Sequence, residues 1–361
     1  VAHYKNYGGD LISAFIYRNL LLGKAEGCAG YMTPNVWMFI KTYEKLRQYL
    51  LAEKTISSLI QLAKGAFFKE ATVDICSFVL KNKKELVPGL YIRLEEFKGG
   101  MDVQRQKVLE AIANPNCGYF YEATASNFSK IPGTPVAYWA SEKARSAYLS
   151  AKCMDEVAKP RHGLATSDND RFLKLWYEIN INKGSLYDRC QLEKKWFPMS
   201  KGGSYRKWYG NLEWIINYEN DGKEIKEYAI SIYKCSTRTI QNTQFYFEEG
   251  LTWSALTSGE FSVRWQEKGA LFGSGGYCAF TNDDIRFFIL ALLNSKITKS
   301  FIQFVSPTIN YEVGHIKTIP VLEKTVYDNE IDAISKEDVM LSRQDWDSYE
   351  TSWDFKKHPL I

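Results

Sequence analysis

The run Thr72–Leu80, TVDICSFVL, is apolar on both faces, and such a run belongs inside a sheet that is covered on two sides. The polar turn KNKKELVPG follows, and then Leu90, Ile92 and Leu94 alternate with Tyr91, Arg93 and Glu95. Two strands joined by a short polar turn are expected to pair antiparallel. The reading is therefore an α/β sheet with one reversed strand at its end. Around it, Leu11, Ala14, Phe15, Arg18 and Leu22 share a helical stripe, with Asp10 placed to cap that helix. Gly27–Met32 reads as a short strand, ended by Thr33-Pro34-Asn35. Phe39, Ile40, Tyr43, Leu46, Leu50 and Leu51 mark an amphipathic helix, and Ile56–Leu62 a buried strand. Met101–Ala113 is a further helix, ended by Asn114-Pro115-Asn116.

The character of the chain then changes. Residues 114–159 read as a helical connector with a turn at Ile131-Pro132-Gly133. Residues 160–320 are rich in Gly and in short aromatic strands, with turns at Asp221-Gly222 and Ser258-Gly259, and read as a second, mainly β domain. Asp283–Val305 is its one strong helical pattern, and residues 321–361 form an acidic, partly helical end. The first compact domain is accordingly 1–113. The first thirty residues hold no apolar core behind a basic start, as a signal peptide would. The most apolar stretch, Phe287–Leu293, is too short to span a bilayer. The seven Cys are odd in number and form no Cys-x-x-Cys pair, which fits reduced thiols in the cytoplasm and speaks against zinc.

A hydrophobic content of 45%, with ten Trp, 23 Tyr and 20 Phe, excludes an extensively disordered protein. The net charge of +4 conceals an asymmetry. Residues 323–354 hold ten acidic groups against three basic ones, which leaves the rest of the chain at +11. A basic body suits a polyanion, and an acidic end suits a spacer or a protein contact.

No complete catalytic set is present: there is no Gly-x-Ser-x-Gly, no phosphate-binding Gly-x4-Gly-Lys and no His-Glu-x-x-His. The glycine-rich run Phe272–Gly276 has the composition to cradle a phosphate, but no helix start follows it. A hairpin turn is the favoured reading. The segment with the best physical claim on nucleic acid is Lys194–Tyr209, KKWFPMSKGGSYRKWY. Lys194, Lys195, Lys201, Arg206 and Lys207 can neutralise phosphates. Tyr205 and Trp208, with Trp196, Phe197 and Tyr209, can stack on bases or pack on sugars. The Lys201-Gly202-Gly203-Ser204 turn would let backbone approach a phosphate with no Cβ in the way. In the plain alternative the rings are core and the cations snorkel to water.

Two groups of stretches resemble a known family. GYMTPNVWM (Gly30–Met38), the helix after it, Ile56–Leu80 and the hairpin that follows resemble the later motifs of amino-group DNA methyltransferases. HGLATSDNDRFLKLWYEI (His162–Ile179), the run Lys195–Ile225 and DWDSYETSWDF (Asp345–Phe355) resemble the PglX-type adenine methyltransferases of bacteriophage-exclusion (BREX) defence. The resemblance implies the C-terminal half of a Rossmann-like methyltransferase domain followed by a mainly β (α+β) target-recognition domain. It also implies S-adenosylmethionine as donor in the complete protein, double-stranded DNA as partner, and contacts with other defence proteins.

The family's two diagnostic motifs are absent. There is no glycine-rich loop for the donor and no Asn-Pro-Pro-Tyr for the target amine, so no catalytic or donor-binding residue is assigned. Val1 is expected to follow shortly after the Asn-Pro-Pro-Tyr position, which makes the chain a fragment and inactive alone. By the same resemblance, Phe67, with Phe68 as its neighbour, is the aromatic that packs on the flipped base. The core reading of Phe67 stands beside it. The competing functions are a non-catalytic DNA-binding specificity protein and a scaffold subunit of a defence complex.

Overall fold

The computed structural model describes residues 6–7, 10–68, 73–186, 192–306, 309–321 and 328–361. The chain divides into two compact units, Val1–Ser150 with Phe304–Pro307, and Ala151–Gln303 with Thr308–Ile361. Among the described residues, no single helix is long and apolar enough to cross a membrane.

In the first unit, α1 (Leu11–Leu22) begins where Asp10 Oδ1 accepts from the Ile12 amide at 2.6 Å. Its buried face is Ser13, Ile16 and Leu20. The stripe of Leu11, Phe15 and Leu22 faces outward. The sheet is built from β1 (Cys28–Pro34), β2 (Thr55–Gln61), β3 (Ile75–Lys81), β4 (Gly89–Arg93) and β5 (Phe120–Ala123). Their order is β1-β3-β2-β4-β5. β3 runs antiparallel to both neighbours, β2 and β4 are parallel, and β5 is antiparallel to β4.

The expected hairpin between β3 and β4 is thereby corrected, because β2 lies between them. Two local features favour this order. The connection from Lys81 to Gly89 is too long for a tight turn, and Thr55 ties it down. Its hydroxyl donates to Lys83 O and accepts from the Glu85 amide, both at 2.8 Å. Gly89 then enters beside β2 so closely that a Cβ would lie 2.2 Å from the Ile56 carbonyl oxygen.

Trp37, Leu59, Phe78, Leu80 and Tyr138, with Leu46 and Leu50 of α2 (Glu44–Glu53), fill one face of the sheet. Leu62, Ile75, Ile92 and Leu94 meet Ala111 of α3 (Met101–Ala113) in a second cluster. Two covering layers are why the residues of β3 are apolar in both directions. Two strands are reversed: β3 inside the sheet and β5 at its end. Segment 114–159 contributes β5 to this sheet and places Val136 and Tyr138 in the first cluster.

The second unit holds two four-stranded sheets. One contains β6 (Lys159–Arg161), β10 (Gly250–Ser254), β11 (Val263–Gln266) and β13 (Gly276–Phe280), all antiparallel, in the order β11-β10-β13-β6. The other contains β7 (Leu173–Leu175), β8 (Trp196–Ser200), β9 (Trp214–Asn217) and the short β12 (Leu271–Phe272), which runs parallel to β8. Phe197, Met199, Ile216, Phe272 and Phe280 meet Ile225 and Ala229 of a helix, α4 (Glu219–Tyr233). Asp221-Gly222 is a left-handed turn at the start of α4, but the helix itself has no counterpart in the expected mainly β pattern. The helical pattern Asp283–Val305 is two helices, α5 (Arg286–Asn294) and α6 (Lys296–Val305), bent by 68°. The acidic end holds a 19-residue helix, α7 (Asp328–Trp346).

Candidate nucleic-acid interface

The carboxyl end of β1 opens into a hollow of about 400 Å³. Met32, Thr33 and Pro34 line it from the strand, and Phe68, Val73 and Ile75 from the segment leading into β3. Crevices outside the carboxyl ends of strands are where open α/β sheets hold ligands, and this volume is in the range of small-molecule sites. Phe68 is half exposed and meets Phe67 edge-on, with ring centroids 4.7 Å apart. Phe67 is 42% exposed, so it is not core, yet it does not line the hollow.

In the second unit the basic, aromatic segment is distributed among several tasks. Phe197 and Tyr209 are buried, while Trp196 and Trp208 are half-buried and Tyr205 is exposed. Lys194 donates to Asn182 O at 2.9 Å, and Lys195 lies 3.7 Å from Glu219. Lys201 places its ammonium 3.8 Å from the centre of the Trp214 ring. Burial there pushes its pKa below the usual lysine value, and Asp170 opposes the shift. Arg206 turns inward: it donates to Tyr209 O at 2.8 Å and Ser342 O at 3.0 Å, and pairs with Asp345 at 2.5 Å. Lys207 donates to Asn294 O at 2.8 Å. The Trp208 backbone is left-handed, with φ 70°, and both its N–H and its carbonyl are bonded to β11 residues.

The glycines of this segment have an internal partner. A Cβ on Gly202 would meet Gly275 O at 2.3 Å, and one on Gly276 would meet Gly202 N at 2.5 Å. Phe272–Gly276 is not a hairpin, because β12 and β13 join different sheets and the two glycine runs pack backbone to backbone. This packing also decides the fit of S-adenosylmethionine. Both of these glycine runs are filled by the chain itself, so neither forms a donor loop.

Sequence reasoning missed Arg264, which is 1% exposed on β11. It donates to Arg206 O at 3.2 Å and to the Ser254 hydroxyl at 3.3 Å. The only signal was its place in the apolar alternation Val263-Arg264-Trp265.

The Eco57I restriction-modification methylase family matches residues 1–68. Over 99% of its length the chain is 34% identical to the adenine-specific methyltransferase PglX of Lacticaseibacillus casei (strain Zhang), covering 30% of that protein. Over 98% it is 33% identical to the adenine-specific methyltransferase BrxX of Escherichia coli O9:H4 (strain HS), covering 28% of it. In fold it is similar to the type IIL restriction-modification enzyme MmeI in complex with DNA. The TM-score is 0.61 at 12% identity, over 98% of this chain and 47% of that one. The chain thus spans about 30% of the length of the curated relatives it matches. It is a homologue, over nearly its whole length, of the adenine-specific methyltransferases PglX and BrxX.

Proposed function

We propose that this chain supplies DNA target recognition and part of the base pocket of an S-adenosylmethionine-dependent N6-adenine methyltransferase of phage exclusion or restriction-modification. The first unit would be the back half of a Rossmann-like catalytic domain, and the second the target-recognition domain. The observation that carries the reading is the apolar hollow at the carboxyl end of β1, with an aromatic ring on its rim. An adenine amine is unreachable inside a duplex, so the base must leave the stack and needs an apolar, aromatic place to rest. Phe68 has that position, and Phe67 supports it edge-on. Lys194, Lys195 and Lys201 would meet the DNA backbone, and Tyr205 and Trp208 the bases.

In the full-length protein, Phe68→Ala is expected to lower adenine methylation roughly five- to 150-fold, a stacking loss of about 1–3 kcal/mol. DNA binding should change by no more than about twofold, since phosphate contacts dominate affinity. If Phe67→Ala has the larger effect, the stacking residue is Phe67. If neither variant changes methylation, the hollow is not the base pocket.

The donor loop is not formed by the described residues. The 361-residue chain alone should therefore bind S-adenosylmethionine no better than an unrelated protein does. Calorimetry showing micromolar binding would overturn that expectation.

A further inference from the structure

The backbone of residues 202–211 leaves the regular regions repeatedly, with positive φ at Gly202, Gly203, Trp208, Gly210 and Asn211. Such a path persists only where the surroundings over-determine it. Here they do so from three directions. From β10 and β11, the Ser254 hydroxyl donates to Gly203 O at 3.0 Å and Arg264 donates to Arg206 O. From within the loop, Asn211 donates to Ser204 O at 2.9 Å. From α7, the Ser342 hydroxyl donates to Lys207 O and Tyr209 O at 3.0 and 3.1 Å, while Ser342 O and Asp345 receive Arg206. The Arg206 guanidinium also lies 5.2 Å from the Trp346 ring. What this scaffold presents outward is short: Gly203, Ser204 and Tyr205, all exposed.

Resting on the DNA-interface reading above, we infer that Gly203-Ser204-Tyr205 is the tip that reads base sequence in duplex DNA. Arg206, Arg264, Ser342 and Asp345 are positioning residues that set its shape. The two tip hydroxyls each donate and accept, which suits base edges in a groove. A tip held in one conformation discriminates between sequences, whereas a loose one adapts to many. Arg206, spent on three internal acceptors, is then a strut and not a phosphate contact. The acidic C-terminal helix acquires a task within the chain as the outer brace of that tip.

The test uses the 361-residue chain and a pool of random-sequence 30-base-pair duplexes. It reads pool affinity, the sequences enriched in the bound fraction, and hydrogen exchange of the amides in residues 203–208. Ser342→Ala with Asp345→Asn should speed exchange at the tip about tenfold or more, one hydrogen-bond loss of stability. It should flatten the enrichment while pool affinity stays within about twofold, because phosphate contacts lie elsewhere. Tyr205→Ala should flatten the enrichment without changing exchange. Arg206→Lys should behave like the double variant, because an ammonium cannot span three acceptors; a phosphate contact would tolerate it.

The inference is overturned if Asp345→Asn raises pool affinity and steepens the salt slope by about one, the mark of a cation freed for phosphate. It is overturned too if the wild-type chain shows no enrichment, or if the variants leave enrichment unchanged. In both cases the DNA interface stands, because the pool still binds. A wild-type chain that retains no duplex at low salt removes the DNA-interface reading itself, and this inference with it.

Discussion

Arg47→Met should unfold the first unit at markedly lower denaturant, a loss of about 3–5 kcal/mol. Arg47 is 1% exposed, and all its hydrogen bonds end on main-chain carbonyls. It gives Trp37 O and Ile40 O one bond each, at 2.9 and 2.8 Å, and Gly133 O two, at 3.1 and 2.7 Å. These bonds join the turn after β1 to the turn at Ile131-Pro132-Gly133. Burial pushes the guanidinium pKa down to about 10, so the charge itself is costly to keep there. Two effects therefore compete in the substitution. Removing the cation relieves desolvation, but it strands the Trp37 and Gly133 carbonyls, each costing about 1–3 kcal/mol when buried without a donor, while Ile40 O keeps the Tyr43 amide. The stranded carbonyls should win. A denaturation curve shifted by less than about 1 kcal/mol would show that water replaces Arg47.

Gly276→Ala should cost the second unit about 3 kcal/mol, near the upper end of overpacking losses. A Cβ there would lie 2.5 Å from Gly202 N, 2.7 Å from Ser200 O and 2.8 Å from Ser200 C. All three are backbone atoms of a strand and the turn that leaves it, so no side chain can swing aside. Gly314→Ala is the control, because nothing lies within 4 Å of its Cβ position. That change should be neutral or stabilising by up to about 1 kcal/mol. Thermal melts that shift equally for both variants would show that the glycine contact is not tight. Since β13 bears on the turn that carries the exposed tip, Gly276→Ala should also weaken any sequence preference in DNA binding.

Much of the local structure is legible in the sequence. The helices Leu11–Leu22 and Met101–Ala113 were bounded by a capping Asp10 and by Asn114-Pro115, signals that act over a few residues. The strands Thr55–Gln61 and Ile75–Lys81 follow apolar runs whose length and β-branched content suit a sheet interior, and Cys28–Pro34 follows a short apolar run that forms the edge strand. The relationship to adenine methyltransferases was carried by long stretches of side chains, and these needed no fold to be seen. The helix Glu219–Tyr233 escaped because its opening turn, Asn220-Asp221-Gly222, has the composition of a loop.

The sequence by itself determined most of the strands and helices of the first unit, where cations and rings are dense, and to which family the chain is related. These are properties of neighbouring residues, and short-range sterics and periodicity express them directly. Only the tertiary structure decided that β2 separates β3 from β4, because strand order depends on long connections and on a close approach at Gly89. It alone decided which cations turn inward. Arg206 and Lys207 look like Lys194 and Lys201 in a string of letters, yet apart from Tyr209 O their acceptors come from residues some ninety to 140 positions further on. A side chain's direction is set by whichever partner the fold brings within about 3 Å, and nothing local encodes that partner.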